Sequence, residues 1–441
     1  MVMEYKYLKN LHLTPYGGVD NVTKNMFVYE HGQDILVVDC GIGFPDEPNG
    51  EENLLIPDFT YLVANRDKIK GVVITHAHFD HYGAVPNLLS KINVPVFASQ
   101  LTQEFIKNKA EEFGFKIKHI DFHQISPKDN QIKLGSFELT PFHINHSVPQ
   151  ALGLFLKTPI GNVFHVSDFK FDFTPVDEQP FDIQKASFLA SLKQPLILLS
   201  DCLGAAKSGH TESETNIQEV FENLMIRVTG LVLVTTVSSN ISRIKQAIQA
   251  SVNVGRRVAF IGRSLEASGQ IAQKLGYFSS LKNFIISQKK IKNYPPSKLT
   301  LIVAGSYGQH DSALVKISQN KHHVVKLKKS DVVIFSADPA PPGVIIEVNK
   351  MVDNLTKLGA NVYYYEIQDN LHVSGHGTAE DIKMLISLVK PKYLLPIGGD
   401  HRHMFAYSLL AQKMGYSEKN ILLIKEKQSV EISQDNTVIV K

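Results

Sequence analysis

Residues 75–83, which read THAHFDHYG, carry the densest group of metal-ligating side chains in the sequence. They overlap the end of the apolar, β-branched run GVVITH, so the group begins where a predicted strand ends. Side chains alternate along an extended chain, which would place His76, His78 and Asp80 on one side, and a turn into a helix would then present His81. Imidazoles together with a carboxylate suit Zn²⁺, with Mn²⁺ or Fe as alternatives.

Further ligands are expected at the ends of two other predicted strands. His146 lies in HINHS and Asp168 in HVSDF, and functional residues often gather where strands of a sheet end. We interpret the nearby His143 and His165 as ordinary core or edge histidines. A carboxylate that bridges two cations would account for Asp168, and two cations about 3.5–4 Å apart are the usual arrangement for displacement at phosphorus. Because the chain has only two cysteines but 18 histidines, a metal site must rely on histidine and carboxylate ligands.

Short apolar strands separated by helices are predicted to position these ligands. In the first half, strands are expected at 34–41, 71–76, 139–146, 162–168 and 195–201, and helices at 103–113 and around 85–92. From about residue 204, strands alternate with amphipathic helices, which predicts a parallel sheet with right-handed crossovers and thus a second, Rossmann-like α/β domain. The later strands are expected at 231–236, 257–261, 299–304, 331–336, 361–366, 392–397 and 421–424.

The composition excludes several classes of protein. The chain has 441 residues, of which 43% are hydrophobic and 20% charged, so it can bury a large core and is not mainly disordered. No apolar run approaches the ~20 residues of a membrane-spanning helix. The first ten residues carry charges where a secretory signal would be apolar. A cytoplasmic protein that does not enter a membrane is therefore expected.

The charge is distributed unevenly along the chain. The net charge of +3 conceals a net +10 over residues 204–350, which hold 19 Lys+Arg and 9 Asp+Glu, and a net −7 over the remainder. Lysines are frequent at 282–298 and at 321–329. A single exposed lysine is usually only a solvated charge, but an imbalance across a whole domain indicates a polyanionic partner.

Taken together, these motifs resemble one known family. HAHFDH, the strand-end His146 and SDFKFD resemble the metallo-β-lactamase fold. LLSDCLGA, TTVSSNISRIKQ, HVSGHGTAEDIKMLISLVKPKYLLPI and NILLI extend the resemblance, over most of the chain, to the ribonuclease J group of β-CASP nucleases. The resemblance implies an α/β protein, a metallo-β-lactamase αββα sandwich with an inserted Rossmann-like β-CASP domain. The expected boundaries are 1–203 for the first part of the metallo-β-lactamase domain, 204–350 for the β-CASP domain and 351–441 for the completing segment.

The resemblance also implies roles for individual residues that match the family's motifs. Two zinc ions are expected. One would be held by His76, His78, His146 and Asp168, and the other by Asp80, His81 and the bridging Asp168. The expected catalytic residues are Asp80, Asp201 and His372, of which His372 would face the scissile phosphate. Asp39 would support the metal loop.

Small polar residues and glycines are expected to bind phosphates where strands of the second domain lead into helices. Helix N-termini offer free backbone N–H groups and the positive end of a dipole, and glycine allows close approach of the backbone. The candidates are Ser239, Asn240, Arg263, Ser264 and Ser306, with His372, Ser374, Gly375 and His376 from the other domain. A cleft between the domains would then lead a single RNA strand past the metals.

The sequence departs from the family pattern at Gly398. The family has a histidine at this point, where it ligates the second metal, whereas this chain reads IGGD. The second zinc is therefore expected to bind more weakly, or its site to hold water or remain empty. The chain also ends soon after NILLI, which implies that the family's small C-terminal domain is missing. A homodimer and a hetero-oligomer with a paralogue both stay open.

The resulting hypothesis is a metal-dependent ribonuclease that hydrolyses phosphodiester bonds of single-stranded RNA in RNA processing and decay. It would act as a 5′-to-3′ exonuclease, an endonuclease or both. Gly398 and the missing domain motivate an alternative of another class, a weakly active or inactive RNA-binding subunit of an active paralogue. A DNA-directed β-CASP nuclease is a further alternative, because discrimination by the 2′-OH depends on a few contacts that the sequence does not reveal. The basic inserted domain argues against a small thioester or lactam substrate.

Overall fold

A computed structural model describes residues 10–44, 54–115, 120–192, 196–337 and 344–441. The strands are β1 Leu11–Gly17, β2 Met26–His31, β3 Asp34–Val38, β4 Ile69–Val73, β5 Val96–Ala98, β6 Phe122–Gln124, β7 Ile132–Leu134, β8 Phe137–His143, β9 Leu152–Lys157, β10 Asn162–Ser167, β11 Ile197–Asp201, β12 Val232–Thr235, β13 Arg257–Ile261, β14 Leu299–Val303, β15 Val332–Phe335, β16 Asn361–Tyr363, β17 Tyr393–Ile397, β18 Val430–Ile432 and β19 Val438–Val440.

Helices connect most of these strands. The α-helices are α1 Thr60–Ala64, α2 Phe79–Tyr82, α3 Val85–Leu89, α4 Gln100–Glu112, α5 Ile183–Leu192, α6 Asn216–Met225, α7 Ile241–Asn253, α8 Arg263–Lys274, α9 Ala313–Ser318, α10 Val344–Lys357, α11 Ala379–Val389 and α12 His401–Lys413. Short 3₁₀ turns occur at Arg66–Lys68, Lys282–Phe284, Gln288–Asn293, Pro296–Lys298 and Glu418–Asn420. None of the helices in the described part of the chain has the length and apolarity that crossing a membrane requires.

Two sheets pack face to face and form the sandwich. The first has the strand order β19-β18-β1-β2-β3-β4-β5-β6, and the second has the order β17-β11-β10-β9-β8-β7. One apolar cluster joins Tyr29 and Leu36 of the first sheet to Leu154 and Phe164 of the second. The alternate residues of the first sheet, such as Val37, belong to another cluster that includes the helices outside it. Alternation along each strand thus builds a layered αββα sandwich, as expected.

The third sheet is the inserted parallel sheet, with the order β13-β14-β12-β15-β16. Its strands are buried on both faces. Val232 and Val234 of β12 pack into one apolar cluster, while Leu231 and Leu233 pack into a different one. Helices therefore cover this sheet on both sides, which explains why its strands read as continuous apolar runs rather than as alternating ones.

The inserted sheet extends past residue 350, where the resemblance placed the end of the β-CASP domain. Helix α10, Val344–Lys357, leads into β16, and Asn361 of β16 pairs in parallel with Val332 of β15. The helix-then-strand repeat of the inserted domain therefore runs on beyond the expected boundary without a break. The strand expected at 421–424 is not formed, since only Ile421 makes a bridge, to Leu394.

Other expectations match the structure approximately or fall outside it. The strand predicted at 195–201 corresponds to Ile197–Asp201, and residue 195 lies outside the described residues. The charged segment at the start of the chain also lies outside them as far as residue 9. The sequence did not predict β1, β2 or β9, although they supply much of the sandwich.

Candidate metal centre

The candidate ligands lie where parallel strands of the two packed sheets end. Strands β3, β4 and β5 run parallel in the first sheet, and β10, β11 and β17 run parallel in the second. Asp39 follows β3, His76 follows β4, and Asp168 follows β10. Asp201 ends β11, and Gly398 follows β17. Carboxyl ends of parallel strands meet at one edge, so residues far apart in the chain come together there.

Four side chains form the first group, His76, His78, His146 and Asp168. The distance between His76 Nε2 and His78 Nδ1 is 3.2 Å, and that between His146 Nε2 and His78 Nδ1 is 2.9 Å. Asp168 Oδ2 lies 3.7 Å from Nε2 of both His76 and His146. Ligands bonded tetrahedrally at 2.0–2.1 Å are about 3.3 Å apart, so a small divalent cation fits this group.

Each histidine of this group has its other ring nitrogen in contact with a neighbouring group. His146 Nδ1 lies 2.7 Å from the carbonyl oxygen of Gly375, and His76 Nδ1 lies 3.0 Å from the Thr75 hydroxyl. Nε2 of His78 lies 3.2 Å from the Ser147 hydroxyl. Contacts of this kind fix the ring orientation and leave the inward nitrogen free to bind a cation. His78 therefore offers Nδ1, whereas the other two rings offer Nε2.

The electrostatics of the group favour neutral imidazoles. Burial lowers the pKa of His78 to about 3. Burial and the adjacent imidazoles hold the pKa values of His76 and His146 well below their usual range. A neutral imidazole is the form that binds metals, so these rings are already in the binding form at neutral pH.

A second set of ligands adjoins the first through Asp168. His81 Nε2 lies 3.3 Å from Asp168 Oδ2 and 3.5 Å from Asp80 Oδ2. The amide of Asn25 also reaches this point, with Nδ2 3.0 Å from His81 Nε2. Burial lowers the pKa of His81, but the carboxylates of Asp168, Asp80 and Asp39 outweigh burial and raise it well above its usual value. A cation that bound here would displace the proton of His81.

Asp39 orients this part of the site. Its Oδ2 lies 2.8 Å from His81 Nδ1, and its Oδ1 accepts hydrogen bonds from the backbone N–H and the hydroxyl of Thr75. Asp39 has φ = 61°, and Ser167, directly before Asp168, has φ = 58°. Both are in the left-handed region, which costs free energy for residues with a Cβ atom. Tertiary contacts therefore hold the backbone at both carboxylates.

Gly398 faces the same group of carboxylates. A Cβ atom built at this position would lie 3.4 Å from Asp168 Oδ1 and 3.4 Å from Asp201 Oδ1. A side chain at 398 would thus begin directly beside the candidate metal centre. The glycine has φ = +69°, which L side chains rarely adopt.

The histidine that reaches the carboxylates from the HVSGH segment is His376. Its Nδ1 lies 2.7 Å from Asp201 Oδ2, and Asp168, Asp201 and His376 form the second group of candidate ligands. Burial lowers the pKa of His376, but Asp201 outweighs burial and raises it to about 9. The Asp201 carboxylate therefore favours the protonated form of His376 at the edge of the metal centre.

The structure places His372, the expected catalytic histidine, in a different environment. Its Nδ1 is buried and has no hydrogen-bond partner among the described residues. Burial, followed by the positive charges of Arg243 and Lys170, holds its pKa well below the usual range. His372 thus lies against a cationic network between the domains, whereas His376, four residues later, contacts Asp201.

That network joins the two domains through a fully buried arginine. Arg243, near the start of α7, pairs with Glu214 and donates to the Ser336 hydroxyl at 2.7 Å and to the carbonyl oxygen of Leu371 at 3.3 Å. Lys170, also buried, lies 3.7 Å from Glu214. Buried charges are costly unless they are paired, so this arrangement fixes the domains relative to one another. Leu371 directly precedes His372, so the network also positions the HVSGH segment.

The candidate phosphate-binding residues lie at the carboxyl edge of the inserted sheet, but their side chains differ in availability. Asn240 is buried and caps α7 by accepting from the backbone N–H of Arg243. It also lines a small cleft beside His146 and Ser147. Arg263 and Ser264 begin α8 with exposed side chains.

The remaining candidates occupy tight turns. Ser306 is buried, next to Gly305, which has φ = +115°. Ser239 is partly exposed in the turn before α7. Ser374 accepts a hydrogen bond from the backbone N–H of His376. Gly375 packs on the His146 ring, and a Cβ atom there would lie only 2.8 Å from it.

Several residues at the site were not singled out by sequence reasoning. They are Asn25, Thr75, Ser147, Lys170, Glu214, Arg243 and Ser336. Lys170 and Arg243 lie within quoted motifs, SDFKFD and SSNISRIKQ, and a basic residue among otherwise apolar or polar positions was the only available signal. The others carry no distinctive spacing.

Comparisons with known proteins agree with this architecture. Residues 19–199 match the family described as Metallo-beta-lactamase superfamily, and residues 229–355 match Ribonuclease J, beta-CASP domain. Residues 363–423 match Zn-dependent metallo-hydrolase RNA specificity domain. A crystal structure of a protein of unknown function from Enterococcus faecalis has the same fold, with a TM-score of 0.65 at 13% identity, and covers 96% of this chain and 100% of that chain.

Several curated proteins are similar over nearly the whole chain. Ribonuclease J of Helicobacter pylori is 37% identical over 423 residues, which are 96% of this chain and 61% of that protein. Ribonuclease J2 of Bacillus subtilis is 34% identical over 437 residues, 99% of this chain and 78% of that protein. Ribonuclease J of Thermus thermophilus is 35% identical over 420 residues, which are 94% of this chain and 72% of that protein. The chain spans about three fifths of the length of the Helicobacter relatives that it matches.

Proposed function

The chain belongs to the ribonuclease J family, and from this premise we propose that it is a metal-dependent ribonuclease that hydrolyses phosphodiester bonds of single-stranded RNA. The observation that carries the proposal is the group of three imidazoles and one carboxylate whose ligand atoms all lie within 4.8 Å of one another, directly beside the His376–Asp201 pair. Hydrolysis of a phosphodiester requires charge stabilisation at phosphorus and a proton for the leaving oxygen, and this arrangement offers both.

Zn²⁺ is the cation that we propose for the first site, because three imidazoles and a carboxylate are its preferred ligands. Mn²⁺ is the alternative. His76, His78, His146 and Asp168 would hold it, and Asp80, His81 and Asp168 would hold a weaker second cation. When bound, such cations polarise the scissile phosphate and lower the pKa of a water molecule.

The residues beside the cations are proposed to bind and orient the phosphate. His376, kept protonated by Asp201, would donate a hydrogen bond to a phosphoryl oxygen or protonate the leaving oxygen. Asp201 would hold the His376 ring through Nδ1 and so direct Nε2 outward. This role replaces the one expected for His372, which lies against Arg243 and Lys170 instead.

The RNA strand is proposed to lie between the two domains. The cleft beside His146 is lined by Asn240 and Ser242 from the inserted domain, and Arg263 and Ser264 present an exposed helix start at the same edge of the inserted sheet. Backbone N–H groups at such helix starts bind phosphates without regard to base identity. The cytoplasmic location and the oligomeric state expected from the sequence stay predictions.

A cleavage assay tests the proposal. The parent protein, loaded with Zn²⁺, Mn²⁺ or Mg²⁺, is expected to cleave single-stranded RNA carrying a 5′-monophosphate, and His78→Ala to lose at least about 100-fold in rate. His123→Ala is the matched control, because His123 is exposed and its contacts with Asp121 and Phe97 lie outside the site. Absence of cleavage by the parent protein with all three metals would refute the proposal.

A further inference from the structure

Five exposed positive charges of the inserted domain lie along the amino-terminal edge of its parallel sheet. The five strands begin nearly in register, with Arg257 opposite Leu299, Val232 opposite both Thr300 and Val332, and Val332 opposite Asn361. Exposed cations precede four of these strands by one to five residues. They are Arg227 before β12, Lys298 before β14, Lys328 and Lys329 before β15, and Lys357 before β16. We call these five residues the basic edge.

Close contacts between the connecting loops make this edge one continuous surface. The buried Arg256 donates to the carbonyl oxygens of Gly230 and Leu299, at 3.1 and 2.8 Å, and so joins the starts of three strands. A Cβ atom at Gly359 would lie 3.5 Å from Lys329 Cα, and one at Gly255 would lie 3.5 Å from Lys298 Nζ. The basic edge covers four neighbouring strands, which are about 4.8 Å apart, so it extends over about 14 Å.

The charges of the basic edge are not neutralised by described carboxylates. Asp331 lies at this edge but is buried, and its oxygens accept from the backbone N–H groups of Leu231 and Lys328. In the part of the chain that the structure describes, the lysines of the inserted domain that form ion pairs are other ones. They are Lys245, Lys274, Lys316 and Lys350. The basic edge therefore presents free positive charge to solvent.

The opposite end of the same sheet faces the candidate metal centre. Asn240, after β12, lines the cleft beside His146, and the hydroxyl of Ser336, after β15, donates to the carbonyl oxygen of Leu371. Because the strands are four or five residues long, the two edges are separated by about 13–17 Å. Cations on the basic edge are thus too far away to bind the phosphates at the metal centre.

We propose that the basic edge is a second binding surface for the sugar-phosphate backbone of RNA, which holds a part of the substrate outside the stretch at the metal centre. The inference rests on the proposed function in that RNA is taken to be the polyanion. Lysine and arginine side chains without ion-pair partners bind phosphates, so the contact is independent of sequence and sensitive to salt. Short RNA would reach only the metal centre, whereas long RNA would reach both.

The test compares two sets of four Lys→Gln substitutions, each in an Asp80→Ala background that prevents cleavage. The edge variant changes Lys298, Lys328, Lys329 and Lys357. The control variant changes Lys133, Lys413, Lys419 and Lys425, which are exposed residues of the metallo-β-lactamase portion. Fluorescence anisotropy measures the binding of RNA of about 30 nucleotides and about 5 nucleotides over a range of salt concentrations.

We expect the edge variant to bind the long RNA at least about 10-fold more weakly, with the salt slope reduced by about 2–3, and to bind the short RNA as before. The control variant should bind both as the Asp80→Ala protein does. Equal affinity of the edge and control variants for the long RNA would overturn the inference. An acidic protein partner, rather than RNA, would give that same result.

The RNA-binding test of the basic edge and the cleavage assay can fail independently of each other. If the parent protein cleaves RNA and the edge variant binds long RNA normally, the inference fails and the proposed function stands. If the parent protein does not cleave but the edge variant loses affinity for long RNA, the proposed function fails and the basic edge stands. Melting curves of both four-fold variants check that the folded state is unchanged.

Discussion

His376 Nδ1 lies 2.7 Å from Asp201 Oδ2, although 175 residues separate the two in the chain. The pair joins the end of β11 to the HVSGH segment, and Asp168 belongs to the same group of candidate ligands. Because Asp201 keeps His376 protonated, the pair holds a mobile proton beside the candidate metal centre.

Replacing the two histidines of this segment should therefore have unequal effects. We expect His376→Ala to slow RNA cleavage by about 10²–10⁴-fold, because it removes the proton donor and leaves Asp201 unpaired. His372→Ala should reduce the rate by less than about 10-fold, since His372 contacts the cationic network rather than the carboxylates. Single-turnover rates of the two variants measure this difference. If the two variants lose the same factor in cleavage rate, both histidines contribute to catalysis and the assignment to His376 alone is wrong.

Substitutions at Gly398 test whether this position limits the second cation. Gly398→His places an imidazole beside Asp168 and Asp201, and should raise the number of tightly bound cations per chain, as measured by elemental analysis. Gly398→Ala is the matched control, because it has the same unfavourable φ, at a cost of about 1–2 kcal/mol, without a ligand. If both variants bind the same number of cations, position 398 does not control the second site.

Arg243 is expected to stabilise the folded protein through its buried ion pair with Glu214. Arg243→Met leaves the buried Glu214 with Lys170 as its remaining ion-pair partner. We expect this loss to lower the free energy of unfolding by about 3–5 kcal/mol. Glu214→Gln in the same chain should restore part of that loss, since it removes the uncompensated charge. Urea denaturation of the single and double variants measures the coupling. Lys245→Met, on the same helix, is the control and should cost about 1 kcal/mol or less, because its pair with Asp177 is less buried.

The half-buried carboxyl of Glu178 should make stability depend on pH. Burial, more than the charge of Asp177, raises the pKa of Glu178 from 4.5 to about 8. A raised carboxyl pKa contributes stability that is fully present below pH ~4.5 and is lost as the pH rises through about 8. Between pH 6 and 9 we expect a loss of about 2 kcal/mol in the free energy of unfolding.

Glu178→Gln should remove this dependence, because the amide does not ionise. The exposed Glu418→Gln is the control and should keep the pH profile of the parent protein. Chemical denaturation at several pH values measures both variants. A parent protein whose stability is constant from pH 6 to 9, relative to Glu178→Gln, would contradict the assignment.

The sequence by itself determined the kind of chemistry and the local elements that carry it. His76, His78, Asp80 and His81 were identifiable because their spacing follows a strand and turn within one short segment. His146 and Asp168 were identifiable as candidate ligands because each was expected at the end of a strand, and strand ends follow from local periodicity. The motif set was specific enough to indicate the family, and the alternation of strands and helices predicted the inserted parallel sheet.

Only the tertiary structure decided which side chains meet. The HVSGH segment has two histidines four residues apart and no periodic pattern, so its packing against His146 and Asp201 alone selects His376. The pairing of Arg243 with Glu214, and the position of β16 in the inserted sheet, likewise depend on contacts between distant segments. Spacing along the chain records local geometry, whereas these contacts arise from how the sheets and helices pack. For the same reason, the excess of lysine was visible in the sequence, but its location on the edge opposite the metal centre was not.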